Sequence, residues 1–345
     1  MSRVIGMPIA RIAGIRRLST AVRAIAKSVE DVSSDEFRRA AFDIEQPLIM
    51  KSRTKPSDHD FQRSSLHVLL SKWFEPSPSS RCHLATSYLK RHAFALLPYE
   101  LILGTRDQTS EGAGEAEDTI RAFSSWLLDR RQPDGTSLAH LLLQCTSEPA
   151  SIDTGPRLVR FYAPLALFLA SLEYNAVHSH QTVKRLYIAQ APLDTLPPEL
   201  ERDVVVPEIV KTAGRGDVYS SSIWLGLEPT YTPWHRDPNP NLFCQVCSSK
   251  LVRLLPPSAG EQVFREVQAS LGKSSSSRIR GEEMMQGAER TAFYDAIWGT
   301  EPQPGILEAD LGSGDGLFIP KGWWHSVKSK LGEGNLNVSI NWWFR

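Results

Sequence analysis

Three residues of this sequence have types and spacings that suit a metal site. His235 and Asp237 lie two positions apart, so on an extended strand their side chains point to the same face. A second histidine that could join them, His325, lies far downstream. Two imidazoles and one carboxylate suit a six-coordinate Fe(II), because they fill one face of the ion and leave three positions open. The spacing therefore predicts a non-haem iron centre with room for a co-substrate and oxygen.

A lysine and two amides follow the His-x-Asp pair at intervals that could place them near the same metal. Counted by twos along an antiparallel hairpin, Asn241, Gln245 and Lys250 can all face the interior of one barrel. A buried lysine is costly unless an anion meets it. We therefore expect Lys250 to bind an anionic group, and a dicarboxylate co-substrate would supply one.

The composition limits the classes of function. The chain has 345 residues, of which 41% are hydrophobic, so it can bury a large core. Its 39 basic and 39 acidic residues balance, which gives no signature of a nucleic-acid-binding protein. No apolar run reaches the roughly 18 residues that a membrane span needs. Four scattered cysteines favour a reducing compartment over a disulfide framework.

Two other pairs of residues admit either a metal site or a structural role. Cys244 and Cys247 form a C-x-x-C, but no second pair of ligands at zinc spacing accompanies them, so buried cysteines in a strand are favoured. His178 and His180 lack a carboxylate partner, and a structural role is favoured for them as well. The tryptophans near the candidate ligands are expected to pack in the core rather than line a pocket, and they are Trp234, Trp323 and Trp324.

The first residues of the chain have the composition of a targeting segment. Residues 1–29 contain five arginines and one lysine but no Asp or Glu, and their isoleucines recur at helical spacing. This pattern is typical of a mitochondrial presequence, and the alternative is a disordered basic tail that binds acidic partners. We treat residues 1–32 as an extension outside the fold and expect a mitochondrial location, with the cytoplasm or nucleus as the alternative.

In the rest of the chain, the hydrophobic pattern changes near residue 184. Residues 33–184 predict a mostly helical part that packs on a barrel, with helices at 35–42, 67–74, 117–130 and 158–174 and a strand at 96–103. From residue 185 to residue 345, short runs separated by Pro and Gly predict a sandwich or barrel, interrupted by an insertion at 259–304. The fold class is therefore mainly β with N-terminal helices, an α+β arrangement.

Residues 224–257 and 314–344 resemble the JmjC (jumonji C) family of Fe(II)- and 2-oxoglutarate-dependent oxygenases, and most closely its small cupin-like hydroxylase branch. The resemblance implies a double-stranded β-helix, the cupin or jelly-roll barrel. The family's H-x-D/E…H iron ligands correspond to His235, Asp237 and His325. Its lysine that binds the C5 carboxylate of 2-oxoglutarate corresponds to Lys250. Further co-substrate positions of the family correspond to Thr232, Asn241, Asn341 and the tyrosine of a Y-x-A-Q segment, Tyr187.

The resemblance also implies an activity. We expect hydroxylation of a C–H bond, on a protein or peptide side chain, with O2 and 2-oxoglutarate consumed and succinate and CO2 released. A histone N-methyl-lysine demethylase ranks lower, because the sequence has no zinc-finger ligand set and no strongly basic composition. A hydroxylase of a small molecule or RNA base and a non-catalytic cupin that only binds a partner are further alternatives. The insertion at 259–304 lies where the family builds substrate-facing loops, so the substrate is the least transferable property.

Overall fold

The structure is a computed structural model that describes residues 20–52, 64–78, 82–103, 115–130, 134–147, 157–272, 286–300 and 303–345. Its strands are β1 (Thr20–Ala21), β2 (Ala24–Ile25), β3 (Leu48–Met50), β4 (Phe74–Pro76), β5 (His83–Ala85), β6 (Leu96–Leu103), β7 (Arg157–Pro164), β8 (Leu186–Pro192), β9 (Val218–Leu227), β10 (Tyr231–Arg236), β11 (Asn241–Cys247), β12 (Lys250–Leu255), β13 (Leu307–Leu311), β14 (Gly316–Ile319), β15 (Trp324–Ser329) and β16 (Leu336–Phe344).

Helices occur both before the barrel strands and within the insertion. The α-helices are α1 (Ser34–Phe37), α2 (Ser65–Trp73), α3 (Ser87–Lys90), α4 (Glu115–Asp129), α5 (Gly135–Ser147), α6 (Leu165–Val177), α7 (Pro198–Asp203), α8 (Glu208–Thr212), α9 (Pro257–Ser270) and α10 (Gly287–Trp298). A π-helical turn at Arg38–Phe42 extends α1, and a 3-10 turn lies at Leu193–Thr195.

Two sheets face each other and form the barrel. The smaller sheet has the strand order β1-β13-β12-β15-β10, and the larger has the order β2-β3-β14-β11-β16-β9-β8-β6-β7. A third, two-stranded sheet pairs β4 with β5. Neighbours in the two large sheets are mostly far apart in the chain and antiparallel, which is the arrangement of a jelly roll. The predicted cupin or jelly-roll barrel is therefore confirmed.

One half of the barrel interior is filled by apolar side chains from both sheets. We call this cluster the apolar half, and its members are Val22, Ile49, Phe243, Val252, Leu254, Ala309, Leu311, Leu317, Ile319, Trp323 and Val327. Strands alternate their side chains between two faces, so the intervening residues point out of the barrel. The opposite face of the larger sheet packs against the helices α2 to α6 in the main core.

The described part of the insertion forms an outer layer on the smaller sheet. Phe264 of α9 and Phe293 of α10 pack against Trp234 and Trp324, which point outward from β10 and β15. No more than 2% of the surface of each of three of these residues is exposed, and they are Phe264, Phe293 and Trp324. Trp323 lies in the apolar half, so the tryptophans near the ligands pack in cores, as predicted. The helices of the insertion therefore cover the face of the sheet that lies opposite the barrel interior.

The N-terminal segment belongs to the fold from Thr20 onward. Strand β1 pairs with β13 and β2 pairs with β3, while Val22 lies in the apolar half and Val29 in the main core. The expectation that residues 1–32 lie outside the fold is therefore wrong for residues 20–32, and residues 1–19 lie outside the described residues. Strands β1 and β2 have only two residues each, so they need few buried side chains. Such short strands leave no clear hydrophobic pattern in a segment that is rich in arginine.

The predicted boundary at residue 184 does not divide the sheets, because β3, β6 and β7 also belong to the larger sheet. The prediction of a helix across residues 158–174 is wrong in its first part, which forms strand β7 along β6. Val159, Phe161 and Tyr162 are β-branched or aromatic and favour a strand. Helix α6 begins directly after Pro164, a position that proline tolerates at the start of a helix.

Candidate metal centre and anion pocket

The three predicted metal ligands meet inside the barrel, at one end of the smaller sheet. His235 of β10 and His325 of β15 are direct register partners, and Asp237 follows the end of β10. The Asp237 carboxylate oxygens lie 3.9 Å from His235 Nε2 and 3.6 Å from His325 Nε2. One ligand atom from each residue falls within 4.8 Å of the others, and among the described residues this is the one such group of three.

A bulge and the sheet register aim the two histidines at each other. The pairing of β10 with β15 shifts register between Thr232 and His235, and such bulges re-aim side chains beside active sites. The ring centroids of His235 and His325 lie 4.2 Å apart. His325 lies within strand β15, which is paired on both sides, with β10 and with β12.

The same main-chain contact sets the tautomer of both histidines. Nδ1 of His235 lies 2.8 Å from the Pro233 carbonyl, and Nδ1 of His325 lies 3.1 Å from the Trp323 carbonyl. A carbonyl oxygen can only accept, so Nδ1 donates in each ring and the lone pair is on Nε2. Both Nε2 atoms face Asp237, which is the arrangement that metal-binding histidines adopt.

Hydrogen bonds orient the carboxylate of Asp237. Nδ2 of Asn241 donates to Asp237 Oδ2 at 2.8 Å, and Nδ2 of Asn341 donates to Asn241 Oδ1 at 2.8 Å. The Trp343 side chain also hydrogen-bonds to Asp237. Asn241 and Asn341 were predicted to contact the co-substrate, and the structure places them in a chain that ends on the candidate metal ligand.

Electrostatics favours a charged Asp237 carboxylate beside a neutral His325. Burial raises the pKa of Asp237, but His325 and His235 oppose it, and the hydrogen bonds described above lower it further, so the net direction is downward. Burial, followed by the neighbouring His235, lowers the pKa of His325 to about 4. These are the protonation states that a divalent cation requires of its ligands.

Lys250 lies deeper in the barrel, at the start of β12, and only 3% of it is exposed. Its Nζ donates to Ser339 Oγ at 2.8 Å and to Tyr187 OH at 3.2 Å, which are both uncharged groups. Burial lowers the pKa of Lys250 to about 7, although the charge of Glu228 opposes this shift. In the described part of the chain no carboxylate forms a salt bridge with this ammonium. A buried cation with neutral partners is a site for an anion.

The position of Tyr187 depends on a glycine. Tyr187 of β8 pairs with Gly226 of β9, and a Cβ at Gly226 would lie 2.6 Å from the Tyr187 ring. Only a glycine therefore leaves room for the ring against the sheet. Thr232 pairs with Val327, whose side chain lies in the barrel interior, so Thr232 is on the inner face as well.

The route from the His-x-Asp pair to Lys250 differs from the predicted hairpin. Strand β11 belongs to the larger sheet and β12 to the smaller one, so the two are not paired and the chain crosses the barrel between them. Lys250 still faces the interior because it alternates with Val252 and Leu254, which lie in the apolar half. The lysine and the ligands therefore converge across two sheets.

Sequence reasoning missed Ser339 and Trp343, although β16 contains a usable signal. Its alternate positions Val338, Ile340 and Trp342 pack into the main core. The positions between them face the barrel interior and are all able to hydrogen-bond; they are Asn337, Ser339, Asn341 and Trp343. A buried strand with one apolar face and one polar face indicates a strand that lines a polar pocket.

We call the polar part of the interior the site half, and it consists of Tyr187, Trp224, His235, Asp237, Asn241, Gln245, Lys250, His325, Ser339 and Asn341. Three buried polar atoms in it have no hydrogen-bond partner among the described residues, and these are Trp224 Nε1, Gln245 Oε1 and Asn341 Oδ1. Such atoms are costly unless a ligand supplies a partner. The donor set of two imidazoles and one carboxylate fits iron, and the polar wall fits a polar co-substrate.

The other candidate metal sites have structural roles in the described residues. Cys244 and Cys247 are buried in β11, and Cys247 Sγ lies 3.7 Å from the Leu336 carbonyl oxygen. His178 stacks on the Tyr174 ring at 4.1 Å. In the described ranges, no helix combines the length and the apolar character needed to cross a membrane.

Comparisons with known proteins agree with this geometry. Residues 160–345 match the sequence model of a family described as the cupin-like domain. The chain is 27% identical over 180 residues to lysine-specific demethylase JMJ30 of Arabidopsis thaliana, covering 52% of this chain and 38% of that protein. It is 29% identical over 165 residues to Jumonji C domain-containing protein 5 of Drosophila melanogaster, covering 46% of this chain and 36% of that protein.

A third relative is lysine-specific demethylase 8 of Danio rerio, at 28% identity over 162 residues, 46% of this chain and 36% of that protein. The chain thus spans less than two fifths of the length of each of these three relatives. The family match and the names of the relatives confirm the resemblance to JmjC proteins that the motifs indicated.

Proposed function

Because the chain belongs to the cupin-like domain family, we propose that it is an Fe(II)- and 2-oxoglutarate-dependent oxygenase that hydroxylates a protein side chain. In the proposed reaction, one atom of O2 enters a C–H bond and the other enters the succinate formed when 2-oxoglutarate loses CO2. The observation that carries the proposal is the convergence, inside one barrel, of a His–Asp–His cluster and a buried lysine.

The metal would be held by His235, Asp237 and His325. When bound, iron would supply the redox chemistry that the side chains lack. The protein keeps both imidazoles in the tautomer that offers Nε2, and it holds the carboxylate with Asn241 and Trp343. The side chain of His235 is 26% exposed but that of His325 only 3%, so substrate would approach from the side of His235.

The co-substrate would be held at its far end by Lys250. A charge-assisted hydrogen bond from a buried ammonium to a carboxylate is strong, because little water screens it. Ser339 and Tyr187 fix the direction of the ammonium. The support for 2-oxoglutarate is that the polar wall contains two separate sites, the Lys250 ammonium and the metal-binding cluster. A dicarboxylate could occupy both sites, one with each end.

The test is consumption of 2-oxoglutarate and release of succinate by the purified protein with Fe(II) and O2, first alone and then with peptide mixtures. We expect His235→Ala to abolish iron binding, and Lys250→Ala to weaken 2-oxoglutarate binding while iron binding persists. The matched controls are His180→Ala and Lys321→Ala, which replace exposed residues of the same types. Equal loss of iron in the Lys250 variant would contradict the assigned role.

Demethylation of N-methyl-lysine is a second candidate, because two of the relatives above are called lysine-specific demethylases. Hydroxylation of an N-methyl group gives a hemiaminal that releases formaldehyde, so the same site could perform either reaction. Mass spectrometry of product peptides separates the two outcomes. Gain of one oxygen atom supports the hydroxylase, and loss of a methyl group with release of formaldehyde supports the demethylase.

A barrel that only binds a partner is the remaining outcome. It would follow if the protein bound neither iron nor 2-oxoglutarate and released no succinate with any peptide mixture. Mass spectrometry of cell extracts with and without the protein would then lack any hydroxylated or demethylated site that depends on it.

We also propose that the basic segment directs the protein to mitochondria. The support is its arginine-rich, acid-free sequence, and a cleavage before Thr20 would leave strand β1 intact. A fluorescent protein fused to residues 1–32 should enter mitochondria, and replacing the arginines by glutamine should prevent this. Diffuse cytoplasmic or nuclear fluorescence of the unchanged fusion would contradict the proposal.

A further inference from the structure

Glu228 is a second ionisable group buried beside the lysine pocket. It lies in the turn between β9 and β10 and is fully buried. Its Oε1 accepts hydrogen bonds from Asn337 Nδ2 at 2.7 Å and from Ser248 Oγ at 2.8 Å. Its Oε2 has no hydrogen-bond partner in the described part of the chain. Burial raises the pKa of Glu228, whereas Asn337, Ser248 and the charge of Lys250 oppose this shift, so its ionised form depends on a positive charge nearby. No described residue forms a salt bridge with it.

The positive charge that acts on Glu228 is that of Lys250, although no hydrogen bond or salt bridge joins the two groups. Asn337 connects the two regions. Its amide donates to Glu228, its Oδ1 accepts from Gln245 Nε2 at 3.0 Å, and two positions further along β16 Ser339 accepts from Lys250. Glu228 therefore lies behind Lys250, and the ammonium of Lys250 faces the barrel interior.

We propose that Glu228 is a positioning residue for the co-substrate: its buried carboxylate keeps Lys250 charged while the pocket is empty, so that the ammonium is ready for the distal carboxylate of 2-oxoglutarate. This inference rests on the proposed function for the identity of the anion. It concerns a residue outside the predicted iron and 2-oxoglutarate set.

The separation of the two groups supports this role. A carboxylate in direct contact with Lys250 would compete with the incoming anion for the same hydrogens. Held by Asn337 and Ser248, Glu228 acts through its charge and takes no hydrogen of Nζ, so one hydrogen remains besides those donated to Ser339 and Tyr187. In the low dielectric of a protein interior, such an interaction remains effective beyond contact distance.

The other groups around the ammonium do not change charge near neutral pH. Burial, with a smaller contribution from Glu100, raises the pKa of Tyr187 far above neutrality. Burial, with a smaller contribution from Glu228, raises the pKa of Cys247 to about 12. The register partners of Lys250 in β13 and β15 are uncharged, and they are Leu311 and Ser329. Glu100 is itself ion-paired with Arg160 at 2.8 Å.

The direction of the effect follows from the charges. Burial, opposed by Glu228, places the pKa of Lys250 at about 7. Without the negative charge this pKa falls further, so the empty pocket loses its proton at a lower pH. Affinity for 2-oxoglutarate, which needs the ammonium, then begins to fall at a lower pH. A decrease of one pKa unit corresponds to about tenfold weaker binding above the transition.

The experiment compares the wild type with Glu228→Gln and Glu228→Asp. In metal-free protein, NMR of 13C-labelled lysine, assigned with a Lys250→Arg variant, gives the titration midpoint of Lys250. In Mn(II)-loaded protein without O2, calorimetry gives the affinity for 2-oxoglutarate from pH 6 to 9. We expect Glu228→Gln to lower the midpoint and to weaken binding about tenfold at high pH, with little change at pH 6. Glu228→Asp keeps the negative charge and should behave like the wild type.

An unchanged Lys250 midpoint in Glu228→Gln would overturn the inference, as would equal weakening of binding at every pH, which is what a purely structural anchor predicts. If Glu228→Gln does not fold, 13C NMR of the Glu228 carboxyl group in the wild type decides. A carboxyl that stays protonated while Lys250 is charged overturns the inference, and an ionised one supports it. Failure of the wild type to bind 2-oxoglutarate at any pH would reject the proposed function, whereas the metal-free titration tests the charge pairing separately.

Discussion

The apolar half and the site half of the barrel interior are built from the same two sheets but have opposite chemistry. On β14, the inward residues Leu317 and Ile319 fill space with hydrocarbon. On β16, two strands away, the inward residues Asn337, Ser339 and Asn341 are equally buried but polar. Strand β11 lies between them and contributes to both halves. Equal burial with unequal chemistry indicates that one half stabilises the fold and the other binds ligands.

The distribution of unsatisfied groups supports this division. Each buried apolar residue contributes favourably to folding, whereas a buried polar atom without a partner is unfavourable by about 1–3 kcal/mol. Among the described residues, the apolar half contains no buried polar side-chain atom without a hydrogen-bond partner. The site half contains three such atoms, and Glu228 beside it has another. The two halves can therefore be separated by experiment, since substitutions in one should change stability and substitutions in the other should change binding.

The largest effect on stability is expected from shortening a side chain of the apolar half. Leu317→Ala removes a fully buried side chain between the sheets and should lower the free energy of unfolding by about 2–5 kcal/mol. Iron and 2-oxoglutarate affinities of the folded protein should change little. Urea denaturation measures the first quantity and calorimetry the second. Leu331→Ala, at a side chain that is 52% exposed, is the control and should shift stability by less than about 0.5 kcal/mol.

Replacing a polar residue of the site half by an apolar one should abolish ligand binding without loss of stability. Lys250→Met replaces a buried cation by an apolar side chain of similar length, so we expect it to abolish 2-oxoglutarate binding. In a Glu228→Gln background, where no buried carboxylate loses its compensating charge, the same substitution should also stabilise the fold by about 1–4 kcal/mol. Since the pKa of Lys250 is lowered from 10.5 to about 7 in the folded protein, its destabilising charge acts fully below pH 7. The advantage of the variant should then shrink as the pH rises toward 10.5.

Urea denaturation at several pH values checks this prediction. The control is Lys321→Met, at an exposed position, which should show neither the gain nor its pH dependence. A Glu228→Gln, Lys250→Met protein that is less stable than the Glu228→Gln protein at pH 6 would mean that the lysine stabilises the barrel, and the division into two halves would then fail at this residue.

The smallest effect is expected from the residues behind the metal ligands. Asn241→Ala removes the amide that donates to Asp237 and should weaken metal binding by about 10–100-fold, as substitutions behind metal ligands usually do. A competition assay with a metal chelator measures this affinity. Asn239→Ala, in the turn just before β11, is the matched control and should leave metal binding unchanged. Undiminished affinity in Asn241→Ala would show that the register of the strands alone orients the carboxylate.

Much of the site was predictable because its chemistry depends on residue type and short spacing. His235 and Asp237 had to share a face of an extended segment, and a buried Lys250 had to meet an anion. The strand at 96–103 was also predicted with its correct bounds, since a locally alternating run defines it. The strand β7 and the strands β1 and β2 were missed, because their pairing partners lie elsewhere in the chain.

The insertion at 259–304 shows the same limit. Its sequence contains no motif of the site, and it was assigned to a substrate-facing region by analogy. Its described helices instead cover the outer face of the smaller sheet, where they bury Trp234 and Trp324. Outward-pointing aromatic residues on two strands need a covering layer, and only the tertiary structure shows which segment provides it.

By itself, the sequence determined the ligand types, the family and the presence of a barrel, because these depend on side-chain chemistry and local periodicity. Only the tertiary structure decided that Lys250 reaches the site from a different sheet than Asn241, that Ser339 and Tyr187 hold it, and that Glu228 lies behind it. These relations join residues up to 109 positions apart, such as Glu228 and Asn337. Strand register across the sheets creates such contacts, and no local pattern encodes them.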